Sequence, residues 1–140
     1  MKKRVVVDTN VVLSGFLSKK GAPSKILDAW IKEEFTPLLS PELKQEYFSV
    51  LEYNHIKQRL GYFYAEAYET LNFIVEKAQF INIKNSKICI FTDRDDDILM
   101  RIAMKGSADY IVSGDKSVLK IKNYKNIQII TATEFLEVLE

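Results

Sequence analysis

Cysteine and histidine are almost missing from this chain. Cys89 is the single cysteine, so no internal disulfide can form, which suits a reducing compartment. His55 is the single histidine, and no Ser-His-Asp or Cys-His nucleophile pattern surrounds it in the sequence. So few nitrogen and sulfur ligands also argue against a zinc site. Charge of one sign is missing too. The net charge is +1, so no global basic field announces a nucleic-acid partner, although a local strip of lysines can do the same work. Long apolar runs are absent, so no segment is expected to span a membrane. Met1-Lys2-Lys3-Arg4 resembles the basic start of a secretion signal, but the apolar run behind it stops at Asp8, too early for one. The sequence shows no repeat and no Gly/Pro/Ser-rich linker. The expectation is one domain over residues 1–140, soluble and cytoplasmic.

What is present is a series of short apolar runs alternating with amphipathic segments. Val5-Val6-Val7 reads as a strand buried on both faces, stopping on Asp8-Thr9-Asn10. Val11 to Leu13 lead into a short helix, with Gly15 and Lys19-Lys20-Gly21 in the loop after it. Pro23 opens a helix bearing Ile26, Leu27, Trp30 and Ile31. Phe35–Leu39 is a second strand, expected to be short or near an edge because of Pro37. Ser40-Pro41-Glu42 starts a helix whose buried face carries Leu43, Tyr47, Val50 and Leu51, with Glu46 at its margin. His55 falls in a linker. Tyr62–Gln79 is an aromatic helical arm, open to two readings: core packing, or a surface for a partner or a second copy.

Phe80–Ile83 reads as a short strand. Asp93–Asp97 introduces a helix that ends at Gly106, with Ile98, Leu99, Ile102 and Ala103 in the core. Tyr110–Val112 and Ile127–Ile130 are the last strands, and Thr131 with Glu134 has the spacing of a capping box. Such alternation predicts an α/β fold built on a parallel sheet.

The acidic residues fall at corresponding places. Asp8 follows the first strand, Glu46 lies one turn into the helix after the second, the Asp93–Asp97 cluster starts a helix, and Asp115 follows Tyr110–Val112. In a parallel sheet these points share one edge, where ligands bind. Taken singly, Asp8 also suits an Asx turn, and the Asp cluster suits a helix N-terminus. Together the carboxylates repel unless a divalent cation neutralises them, and an all-oxygen set favours Mg²⁺ or Mn²⁺. Helical geometry backs Asp96 as a ligand at the margin of the buried stripe. Asp97 points a quarter turn further out and is the weaker ligand; Asp95 is the N-cap, and Asp93 has a loop or outlying role. A cation with open positions suits phosphodiester hydrolysis, by polarising phosphate and acidifying water. Lys116, Lys120, Lys122 and Lys125 after Asp115, and Lys19, Lys20 and Lys25 after Asp8, are expected to place positive charge beside the site, Lys116 and Lys20 foremost.

The order Val5-Val6-Val7-Asp8-Thr9-Asn10, Ser40-Pro41-Glu42-Leu43 with Glu46, Asp93-Arg94-Asp95-Asp96-Asp97, then Asp109–Asp115 closely resembles the PIN-domain family over nearly the whole chain. It is most similar to the PIN-domain toxins of toxin–antitoxin pairs. The resemblance implies a five-stranded parallel sheet flanked by helices and a Mg²⁺- or Mn²⁺-dependent ribonuclease with one or two cations. The family's acidic quartet falls on Asp8, Glu46, Asp96 and Asp115, with Asp97, Thr9, Asn10 and Ser113 near it. It also implies a homodimer held inactive by an antitoxin. Arg94 stands where relatives often have Pro, and Asp97 where some have Asn; neither removes a quartet carboxylate. Two rivals come from other classes. One is a catalytically idle module that binds RNA or antitoxin. The other is a Mg²⁺-binding phosphoacceptor domain, which the second strand's ending at Ser40 fits poorly.

Overall fold

Arg4–Val7 forms strand β1, and its valines are buried on both faces. The computed structural model describes residues 1–140. β2 (Thr36–Leu39) and β4 (Tyr110–Val112) pair with β1 in parallel on its two sides. β3 (Gln79–Phe80) extends the sheet beyond β2, and β6 (Ile127–Ile130) extends it beyond β4, both in parallel. β5 (Asn123–Tyr124) closes the far edge antiparallel to β6. The order is β3-β2-β1-β4-β6-β5, six strands where about five are expected. The additional strand is two residues long, too short to carry a period.

Eight helices connect and cover the sheet: α1 (Thr9–Leu17), α2 (Ala22–Ile31), α3 (Pro41–Leu51), α4 (Asn54–Leu60), α5 (Tyr64–Glu76), α6 (Asp97–Lys105), α7 (Lys116–Leu119) and α8 (Ala132–Leu139). The caps follow the sequence. Ser40 accepts from the Leu43 N–H, and Thr131 and Glu134 close the expected capping box. Trp30, Phe35, Tyr47 and Phe135 meet edge to face beneath the sheet, with centroids 5.2–6.4 Å apart. Trp30 also donates its indole N–H to the Ile74 carbonyl at 2.7 Å, which ties α5 to α2. Pro37 lies in a strand of four residues one in from the edge, as expected. Its missing N–H falls on the β3 side, where pairing begins only at Leu38, so no ladder bond is lost.

Several local expectations change. Gly15 lies within α1, not in a loop. A Cβ there would come 2.6 Å from Leu27 Cδ1, so glycine is what lets α1 and α2 approach. His55 is an exposed residue of α4, not of a linker. The strand at Phe80 starts one residue earlier and ends sooner than expected. Of the aromatic arm, Tyr62, Phe63, Tyr68 and Phe73 are exposed; its buried stripe is Ala67, Leu71, Ile74 and Val75. Ile98 and Val50 are half-buried. No helix is long and apolar enough to cross a membrane.

Candidate active site

The chain passes from β1 to β2 on one side and later crosses from β3 to β4 on the other side of β1, so the carboxyl ends of β1 and β4 flank the switch point of the sheet. Asp8 ends β1 there and donates its backbone N–H to the Val112 carbonyl at 2.8 Å. Its extended backbone makes it the residue before α1, but its side chain caps nothing. Instead Asp8 Oδ2 accepts from the Ser113 hydroxyl at 2.7 Å, and Ser113 Oγ accepts from the Asp115 N–H at 3.0 Å. Asp115 Oδ1 accepts from both the N–H and the hydroxyl of Ser117, at 2.9 and 2.8 Å. On the other side Thr9 donates its hydroxyl to Glu46. Asn10 Oδ1 accepts from the Gly114 N–H at 3.2 Å, pinning the loop after β4 to α1. One connected set of polar contacts therefore runs from Glu46 through Thr9 and Asp8 to Ser113 and Asp115.

Asp96 joins this group through charge. Its carboxyl is pushed up to about 6, first by burial and then by the charges of Asp8, Asp93, Asp115 and Glu46. Asp8 is also raised to about 6; burial dominates, the Ser113 hydrogen bond opposes it, and Glu46 and Asp115 add to it. Asp8 is only 7% exposed. Asp93 stays at the margin, where it accepts from the Asp95 N–H at 2.9 Å and caps a 3₁₀ turn over Arg94–Asp96. Asp95, expected as the cap, is exposed.

Asp97 departs most from expectation. It is fully buried, and Oδ1 accepts from the N–H groups of Ile90 and Phe91, both at 2.9 Å. Burial pushes its carboxyl up, but the Phe91 and Ile90 N–H groups, with the Cys89 thiol and the Arg101 charge, outweigh it and leave the carboxyl below its ordinary value. Of the groups that move it, none is a quartet carboxylate. The expected outward direction assumed α-helical rotation through Asp93–Asp97. Residues 94–96 wind as a 3₁₀ turn instead, and the chain at 88–91 covers the side that the rotation leaves open.

The lysines divide. Lys116 opens α7 directly after Asp115 and is exposed; Lys20 is exposed two residues before α2. A cleft of about 390 Å³ beside the acids is lined by Asn10, Ser14, Pro23, Gly114, Thr131 and Thr133, so the start of α2 reaches the same edge. Lys19 instead lies over the Phe63 ring at 4.4 Å. Lys125 sits in the β5–β6 turn, before β6 begins, at the end of the sheet opposite Asp115. It is not beside the site as expected.

Two participants escape the sequence reading. Tyr47 is expected only as a core residue, yet its buried hydroxyl donates to the Val7 carbonyl, directly beneath Asp8. A buried tyrosine next to Glu46 needs a partner for its O–H, and that need was the available signal. Ser117, the partner of Asp115, stands in the Asp-x-Ser spacing that marks a local side-chain turn.

The donor chemistry of the quartet fits a hard divalent cation: carboxylate oxygens throughout, with two groups driven up by burial and by mutual charge, a condition a cation relieves. No three of the acidic, His or Cys side chains form a ready-made shell around one point. One oxygen of each of Asp8, Glu46 and Asp115 accepts from a hydroxyl, which fixes the orientation of the carboxylate.

Comparison with known proteins bears on the family and the fold. The chain is 25% identical over 150 aligned positions to the uncharacterized protein MJ1680 of Methanocaldococcus jannaschii, an alignment spanning all of this chain and 94% of that one. Its fold is similar to the crystal structure of PAE2754 from Pyrobaculum aerophilum, with a TM-score of 0.64 at 15% identity over 98% of this chain and 89% of the other. The family profile described as PIN domain matches residues 4–117, from β1 into α7. The chain therefore belongs to the PIN domain family and has a nuclease-type fold.

Proposed function

We propose that this protein is a metal-dependent endoribonuclease that hydrolyses RNA phosphodiester bonds. The observation that carries the reading is the set of contacts that links Glu46, Asp8 and Asp115 at the carboxyl ends of β1 and β4, with Asp96 beside it, its carboxyl raised first by burial and then by the charges of Asp8, Asp93, Asp115 and Glu46. These four residues would hold one or two Mg²⁺ or Mn²⁺ ions. A bound cation supplies Lewis acidity and charge neutralisation toward the scissile phosphate. Ser113 and Thr9 orient the carboxylates of Asp8 and Glu46 through their hydroxyls. Asn10 fixes the loop carrying Gly114, which lines the cleft next to Ser113. Lys116 and Lys20 contact phosphates without reading sequence.

Two further parts rest on the resemblance to PIN-domain toxins: that this copy is the cytoplasmic toxin of a pair neutralised by an antitoxin, and that it forms a homodimer. The exposed aromatic residues of α5 and the turn before it are the surface we assign to such contacts. A second reading, an idle module that binds RNA or antitoxin with the fold alone, is favoured by one observation: no three of the acidic side chains form a ready-made shell around one point. Incubating a labelled RNA pool with Mn²⁺, Mg²⁺ or EDTA decides between them. Cation-dependent cleavage that EDTA stops and Asp8→Asn abolishes is expected. RNA binding with no turnover in any cation selects the idle module.

A further inference from the structure

Between β3 and α6 the chain has almost no regular structure, yet residues 88–91 are tied to α6 at several points. Asp97 Oδ1 accepts from the Ile90 and Phe91 N–H groups. One helical turn later, Arg101 Nε donates to the Ile88 carbonyl at 3.0 Å. Asp97 and Arg101 thus grip this strap from one face of the same helix, accepting from its donors and donating to its acceptor. Arg94, from the turn itself, adds a contact to Cys89 Sγ at 3.6 Å. The Phe91–Asp97 bond closes a short loop, and Asp96 is the last residue inside it. Asp97 remains fully buried although its Oδ2 accepts nothing, so the bonds at Oδ1 must offset the cost of burying that second oxygen.

We propose that Asp97 and Arg101 are positioning residues that clamp the strap Ile88–Phe91 along α6 and so set where Asp96 stands in the acid cluster. This rests on the nuclease reading for its consequence, but the clamp itself can be tested without catalysis. The alternative role for Asp97 is direct ligation of the cation, and the two differ in what an amide does. The Oδ1 of Asp97→Asn still accepts both N–H groups, whereas Asp97→Ala cannot.

The experiment is amide exchange and chemical-shift mapping by NMR on the full chain, with Mn²⁺ affinity measured separately by calorimetry. For Asp97→Ala we expect exchange at Ile90 and Phe91 to be at least about tenfold faster, a shifted Asp96 resonance, and Mn²⁺ affinity about tenfold weaker. For Asp97→Asn we expect all three within about threefold of the parent, or unshifted. Arg101→Met frees only the Ile88 end, so it moves the same observables less, and it carries the test if Asp97→Ala does not fold. Unchanged exchange and an unmoved Asp96 resonance in the folded clamp variants overturn the proposal. So does Asp97→Asn weakening Mn²⁺ as much as Asp97→Ala does while protection stays intact, which makes Asp97 a ligand. A parent chain that binds no Mn²⁺ defeats the nuclease reading, while exchange and the Asp96 shift still decide the clamp.

Discussion

The carboxyl edge of the sheet and the face formed by α4, α5 and the turn between them depart from ordinary protein patterning in opposite directions. At the edge, acids are inside: Asp8 is 7% exposed and Asp96 half-buried. On the face, rings are outside: Tyr62 is fully exposed, Tyr53 and Phe63 are 52% exposed and Phe73 is 48% exposed. The first departure is electrostatic and disfavours the charged state, so a cation offsets it. The second is hydrophobic exposure, and only a covering surface offsets it. The edge is also supplied with hydroxyl and backbone partners, whereas Phe63 and Phe73 lie against lysine side chains and Tyr53 stacks on His55. The molecule therefore carries two costs of different kind, and each points to a different type of partner.

The sharpest way to break this contrast is Asp8→Asn. Cleavage of labelled RNA should fall on the order of 100-fold or more, since a charge that holds the cation is gone. The same variant should make the metal-free protein more stable at pH 7.5, by roughly 1–3 kcal/mol in urea titration, because a buried charge held up to about 6 no longer has to ionise. Lost stability together with lost cleavage would instead make Asp8 a structural residue.

A pH series tests the same cost with no mutation. Asp8 and Asp96 ionise at higher pH in the folded chain than in the unfolded one. The folded state therefore holds the extra protons between the ordinary aspartate range and about pH 6. The penalty is fully present above that window and is relieved as pH falls through it. The metal-free protein should be more stable at pH 5 than at pH 7.5, by up to a few kcal/mol, and Asp8→Asn should flatten the slope. Asp97 and Glu52, both lowered, pull the other way only near and below pH 4, where their stabilisation is lost.

Thr9→Val removes the hydroxyl that Glu46 rests on. The expected loss is about 1 kcal/mol of stability, with weakened Mn²⁺ binding. The smallest effect belongs to the aromatic face. Tyr62→Ser with Phe63→Ser should leave unfolding free energy within about 0.5 kcal/mol and leave cleavage unchanged. In sedimentation, the same pair should lower self-association if a second copy covers the face. A large loss of stability there would mean that the rings belong to the core after all.

Much of the architecture was legible because it repeats a period. Valines on both faces gave β1, Ser40-Pro41 gave the start of α3, and Thr131 with Glu134 gave that of α8. The placement of Asp8 and Asp115 followed, since strand ends in a parallel sheet share an edge. What stayed hidden was not periodic. Whether Asp96 or Asp97 is buried depends on a 3₁₀ turn and on a strap from outside the helix, neither of which a helical wheel contains. The end of the sheet that receives Lys125 depends on a hairpin in which only two residues of each strand pair. The exposure of Tyr62 and Phe63 depends on where α5 begins, because both lie in the turn ahead of it.

The most direct measurement is Mn²⁺ binding by calorimetry to the parent chain and to Asp8→Asn, Glu46→Gln, Asp96→Asn and Asp115→Asn in turn, at pH 7.5. Carboxylates that share one site predict that every single substitution weakens the same binding event by about tenfold or more. Four variants that bind Mn²⁺ as tightly as the parent would contradict it.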